Sequence, residues 1–119
     1  MAIYSYHDLE VYREAFRLAL KVHEIVKGFP ASERFSLADQ MKRSSRSICA
    51  LIAEGFAQKE KKFEFRRYLR MAHGSVQETK VWIEFSEALG FIASLEAKDL
   101  WDSYDRLGKR LFRISRQWK

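Results

Sequence analysis

The chain has 119 residues and a mass of 14.1 kDa, enough for one domain over residues 1–119 and too short for a second core. Apolar residues make up 47 % and charged residues 32 %, which excludes a disordered or fibrous chain, and 22 Lys and Arg against 16 Asp and Glu give a net charge of +6 that suits phosphate-rich partners. A lone Cys49 excludes an internal disulfide framework and a Cys-based zinc site. No apolar run reaches the roughly 18 residues of a membrane span, and Met1 to Asp8 lacks the apolar stretch of a signal peptide. The expectation is an intact cytoplasmic protein.

One Pro and five Gly leave few turns, so the elements are few and long. Gly28-Phe29-Pro30 is the clearest break, Gly90 the second and Gly55 the weakest. They divide the chain into helical segments near 8–27, 36–55, 60–89 and 94–117, with Asp8, Ser36 and Ser94 as candidate N-caps. The first segment carries a stripe of Leu9, Tyr12, Phe16, Ala19, His23 and Val26. The second carries Leu37, Met41, Ser44, Ile48, Leu51 and Gly55. The third carries Phe65, Leu69, Ala72, Val76, Thr79 and Ile83, with Trp82, Phe85 and Leu89 opening a second stripe on another face. The fourth carries Leu100, Tyr104, Leu107, Leu111, Ile114 and Trp118. Steps of three and four are the seams of packed helices. Four such helices with short connections predict an all-α, antiparallel up-and-down four-helix bundle. The second stripe and the aromatics outside the seams point to an interface between subunits.

Charge comes in blocks. Residues 41–75 carry 9 basic and 3 acidic side chains, residues 76–105 carry 2 and 7, and residues 106–119 carry 6 and none. The candidate nucleic-acid contacts are Lys42, Arg43 and Arg46 on the second helix, Lys62, Arg66, Arg67 and Arg70 on the third, and Arg110 and Arg113 on the fourth. Along the fourth helix Arg106, Lys109, Arg113 and Arg116 share a face and repel one another unless phosphate or carboxylate neutralises them. A plainly solvated face is the alternative.

Signatures of catalysis are sparse. There is no Gly-rich phosphate loop, HExxH or CxxC, and neither His23 nor His73 follows a Glu at the spacing of a di-iron bundle, so no cofactor or metal is expected. His23 and Cys49 read as packing residues. Arg67 and His73, with five residues between them, match the spacing of helical ribonucleases of the HEPN type. Tyr68 stands where those enzymes carry a small polar residue, and arginine is abundant enough here to give the spacing by chance.

The order of several short pieces carries a resemblance. They are Asp8-Leu9-Glu10-Val11-Tyr12, Phe29-Pro30, Glu33-Arg34, Gln40, Arg43, Ser47-Ile48, Ile52-Ala53-Glu54-Gly55, Glu64-Phe65, Tyr68-Leu69, Ala72, Gly74-Ser75, Glu78 and Leu89-Gly90-Phe91-Ile92. Over nearly its whole length the chain resembles the four-helix-bundle proteins encoded in intervening sequences of bacterial 23S rRNA genes. It departs from them at Cys49 and Leu51, where family members often carry Pro and Asn. The resemblance implies a bundle that assembles into a homo-oligomeric ring, a pentamer, with no established enzymatic activity. It also implies kinship with accessory bundles of diversity-generating retroelements, which bind nucleic acid and a reverse transcriptase.

Two local expectations follow from residue chemistry. Gly55 and Gly74 lack a Cβ and would let the second and third helices approach closely. Glu54 and Glu78 are candidates to pair with Arg43, Arg67 or Arg70. The leading reading is a non-enzymatic, nucleic-acid-binding bundle, the alternative a protein–protein scaffold, and the remote alternative a ribonuclease using Arg67 and His73.

Overall fold

Glycine and proline set the punctuation, and the helices run uninterrupted between them. The computed structural model describes residues 2–118. It holds α1 (Glu10–Val26), α2 (Leu37–Ala57), α3 (Lys62–Ala88) and α4 (Ser94–Gln117), with single 3-10 turns at Tyr6–Asp8 and Ala31–Glu33. The bundle measures 44 × 23 × 21 Å. Contacts alternate antiparallel: α1 against α2 and α4, α2 against α3, and α3 against α4. This is the all-α up-and-down arrangement expected from the spacing.

The ends of the helices show which signals operate. At the end of α3, Gly90 takes φ +81°, a left-handed conformation that glycine adopts without a Cβ penalty. The Phe91 and Gly90 amides donate back to the Ser86 and Glu87 carbonyls at 2.8 and 2.9 Å, a Schellman closure. Asp8 caps the 3-10 turn before α1, not α1 itself: its Oδ2 accepts from the Tyr4 and Ser5 amides at 2.8 and 3.0 Å. Ser36 precedes α2 without a side-chain cap, and Glu33 Oε1 instead accepts from the Leu37 amide at 3.3 Å. Ser94 is the first residue of α4, not its cap. Gly55 does not end α2, which continues to Ala57.

The core follows the expected seams of α2, α3 and α4. All six residues of the α3 stripe are buried, as are Leu100, Tyr104, Leu107 and Leu111 of α4. On α2, Ile52 takes the deep position and Leu51 is half-buried. The stripe of α1 is the correction. Its buried residues are Val11, Ala15, Leu18, Val22 and Val26, while Phe16 is exposed and Tyr12 and His23 lie at the edge. Both stripes step by three and four on adjacent faces, so spacing alone does not choose between them. The compact aliphatic one fits the narrow space between α2 and α4.

The α2–α3 contact is built from small residues. A Cβ at Gly55 would stand 2.6 Å from Tyr68 Cβ, so the backbones touch there with no room for a side chain. Further along, Thr79 Oγ1 donates to the Ser75 carbonyl at 2.8 Å and stands 2.8 Å from Ser44 Oγ, while Ser47 and Ser75 hydroxyls meet at 3.2 Å. The polar run at 42–46 therefore turns Ser44 and Ser45 into the core. Gly74 has open space around it and makes no such approach. The second close approach is at Gly108 of α4, where a Cβ would come within 3.1 Å of Val76.

Two glycine substitutions should separate these roles. Gly55→Ala should lower stability by about 1–3 kcal/mol through overpacking against Tyr68. Gly74→Ala should raise it by about 0.5–1 kcal/mol through helix propensity. Urea unfolding of both variants measures the pair.

Candidate nucleic-acid interface

The antiparallel register of α3 and α4 decides which charges are neighbours. Glu84 Oε2 accepts from Trp101 Nε1 at 3.0 Å, Lys80 Nζ bonds Asp105 Oδ1 at 2.8 Å, Val76 lies against Gly108, His73 against Phe112, and Arg66 against Trp118. This register brings the basic start of α3 beside the basic end of α4. The acidic block of residues 76–105 fills the opposite end of the same hairpin. Separate basic blocks in the sequence thus become one cationic end.

Lys80 locks the register. It is 8 % exposed, bonded to Asp105 and to Gln77 Oε1 at 3.2 Å, with its ammonium 4.3 Å from the centre of the Trp101 ring. A cation so buried is tolerable only because it is paired and hydrogen-bonded. Lys109 bonds the second oxygen of Asp105 at 3.1 Å. The two lysines hold the Asp105 carboxyl below its ordinary value, Lys80 contributing most.

The nine candidate contacts do not form one patch. Ser44 faces Thr79 and Met41 faces Ser86, so Lys42, Arg43 and Arg46 lie alongside the acidic part of α3. At 1.5 Å per residue, they are on the order of 15–25 Å from the cationic end. Arg43 Nε bonds Asp39 at 2.7 Å, and Arg46 donates to His23 Nδ1 at 3.2 Å. Lys42 lines a separate cavity of about 380 Å³ with His23, Lys27 and Arg34.

Within the cationic end the residues differ in what they are free to do. Arg66 is committed to structure: both its Nε, at 3.0 Å, and its Nη2 donate to the Trp118 carbonyl, fastening the end of α4 to α3. Arg67 is paired with Glu64 at 3.1 Å, which holds its guanidinium above its ordinary pKa. Lys62, Arg70, Arg110, Arg113 and Arg116 make no ion pair among the described residues and are exposed, whereas Arg106 leans on Ser103 Oγ at 3.3 Å. Arg110 and Arg113 also border a cleft of about 470 Å³ with Arg13 of α1, near Asp8 and Glu10. Lys119 lies outside the described residues.

Neither carboxylate expected from the sequence to pair with an arginine does so among the described residues. Glu78 accepts from Trp82 Nε1 at 3.1 Å instead of an arginine, Glu54 is exposed without an ion pair among the described residues, and Arg67 uses Glu64. Arg67 and His73 also diverge: His73 turns into the α3–α4 cleft with Lys109, Phe112, Arg113 and Arg116, and Arg67 does not line it. Arg66 on α3 and Arg116 on α4 were ordinary members of arginine runs in the sequence. Only the register shows that the first is structural and the second lines this cleft.

Among the described residues, no group of three or more His, Cys, Asp or Glu is placed to hold a metal ion, and no helix is long and apolar enough to cross a membrane. Burial pushes the Cys49 thiol up to about 11, so it remains protonated at neutral pH.

Fold and charge together describe a small helical bundle with one cationic end. Residues 7–113 match the 23S rRNA-intervening sequence protein family, and the chain belongs to it. It is also similar to a crystal structure of a protein of unknown function from the S23 ribosomal protein family of Bacteroides thetaiotaomicron. The TM-score is 0.79 at 21 % identity, covering 90 % of this chain and 99 % of that one, a likeness of fold. Among curated proteins none matches the chain.

Acid titration tests the electrostatic lock. The folded carboxyl of Asp105 lies below its unfolded value near 3.8, so its contribution is present above that value and is lost as pH falls through the folded one. Stability should hold down to about pH 4 and drop below it. Asp105→Asn should lower the neutral plateau and shallow the acid drop, as followed by denaturant midpoints across pH.

Proposed function

We propose that this chain is a non-enzymatic, homo-oligomeric bundle that binds nucleic acid, RNA or DNA, through its cationic end. The observation that carries the reading is the gathering of exposed, unpaired cations on α3 and α4, with Lys62, Arg70, Arg110, Arg113 and Arg116 its working members. Uncompensated like charges on neighbouring helical turns repel, and a phosphate backbone neutralises them while releasing counterions. Arginine's planar fork suits phosphate geometry. Contacts of this type position a protein without reading bases, so binding would be weakly sequence-selective.

Self-association is supported by what the core leaves uncovered. Phe16 and Leu20 of α1 remain 43 and 58 % exposed beside Cys49 and Arg46, and Phe85 of α3 and Leu89 just after it remain 52 and 57 % exposed on another side. Two different apolar patches on one chain suit head-to-tail contacts that close into a ring. The family resemblance implies a ring of five, which would repeat the cationic end around its axis. The same patches would serve a protein partner, such as a reverse transcriptase, if the chain acts as a scaffold.

Fluorescence anisotropy against structured RNA and duplex DNA tests the reading. Affinity should fall steeply with salt, and Arg70→Glu with Arg113→Glu and Arg116→Glu should weaken it at least tenfold. Each lost phosphate contact should reduce the log–log salt slope by about 0.7–0.9. Arg66 is left intact because its loss would free the end of α4. Unchanged affinity in the folded variant would refute the assignment. Light scattering on the same samples should give several times the 14.1 kDa chain mass, and a monomer would remove the ring from the proposal.

A further inference from the structure

Between α3 and α4, at the cationic end, lies an open cleft of about 790 Å³ lined by His73, Lys109, Phe112, Arg113, Arg116 and Gln117. Four of the six are basic or imidazole side chains, and no carboxylate is among them. Phe112 is the exception in character: it is an apolar ring, 49 % exposed, set among cations. The Arg116 guanidinium stands 5.7 Å from the centre of its ring, and the His73 ring lies 6.0 Å away, tilted by 56°. Gly108 of α4 packs beneath His73, where a Cβ would stand 3.5 Å from the ring, in ordinary contact.

A single exposed phenylalanine needs no explanation. An exposed ring with a guanidinium over it and a tilted imidazole beside it, in a cleft lined by further cations, is a different object. Sites that hold single-stranded nucleic acid combine a positively charged groove for the backbone with aromatic faces on which bases stack. A duplex keeps its base faces stacked on one another and has none to offer. We propose that this cleft takes an unpaired nucleotide of a single-stranded segment, its base stacked on Phe112 and its flanking phosphates on Arg113 and Arg116. His73 also lines the cleft, half-buried. The inference rests on the nucleic-acid reading above and narrows it, from a cationic surface that tolerates any phosphate backbone to a site that prefers unpaired strands, including the loops of a folded RNA.

The test is anisotropy with a fluorescein-labelled oligouridine and a duplex of equal length, each against the wild type, Phe112→Leu and Phe112→Trp. Leucine keeps an apolar side chain of similar size at an exposed position but has no flat face; tryptophan restores one. The wild type should prefer the single strand. Phe112→Leu should lose on the order of tenfold in affinity for it and little for the duplex, and Phe112→Trp should regain the loss. Equal single-strand affinity of the wild type and Phe112→Leu would overturn the stacking site, and so would a parallel loss on both probes. In either case duplex binding that falls steeply with salt would leave the broader reading standing. If neither probe binds the wild type, both readings fail.

Discussion

The antiparallel register of α3 against α4 is the constraint on which the rest of this molecule depends. It is held by contacts spread along the hairpin: Trp101 on Glu84, Lys80 between Asp105 and the Trp101 ring, Gly108 against Val76 and His73, and Arg66 on the Trp118 carbonyl. Each tolerates little sliding. Lys80 is the most demanding, because moving it by one helical turn would leave a buried ammonium without its carboxylate. Gly108 adds a steric lock, since another residue of α4 in its place would drive a side chain into Val76. With the register fixed, the opposite charges of the hairpin are sorted to opposite ends, and two basic blocks more than thirty residues apart in the chain become one surface.

That sorting has a cost, which the fold distributes. Like charges at the cationic end repel, and only some are relieved internally, through Arg67 with Glu64 and Lys109 with Asp105. Arg66 is neutralised in a different way, by two hydrogen bonds to a carbonyl at the C-terminal end of a helix, where the helix dipole favours a cation. The cations left over face solvent beside the Phe112 cleft. The charge at this end therefore divides into a part that holds the bundle together and a part that is free to meet another molecule.

Much of the fold was legible in the sequence because helical periodicity and glycine placement act locally. The stripes of α3 and α4 and the stop at Gly90 needed no knowledge of neighbours. The α1 stripe was misread because two faces of that helix carry apolar residues at the same spacing, and tertiary packing chose the smaller side chains. The caps at Asp8 and Ser36 were misplaced because each competes with a turn just before the helix. Gly55 as a point of close approach was visible; Gly74 meets no neighbour and Gly108 does, because which helical glycine meets a neighbour depends on register. The candidate site was legible as composition but not as geometry. Nothing in the residues alone separates Arg66, bound to a carbonyl, from Arg70, open to solvent, or places Lys42, Arg43 and Arg46 beside the acidic end. Phe112 was invisible as a site residue, since its partners His73 and Arg116 lie on different helices or one turn away.

The central claim is that nucleic acid meets this protein at the end where α3 begins and α4 finishes. Backbone amide NMR shifts, recorded as a single-stranded oligonucleotide is titrated into the protein at near-physiological salt, locate the contact directly. The account predicts perturbations concentrated at residues 62–73 and 106–117, with residues 37–46 and 84–102 unmoved. Perturbations centred on Lys42, Arg43 and Arg46, or spread evenly over every exposed cation, would contradict it.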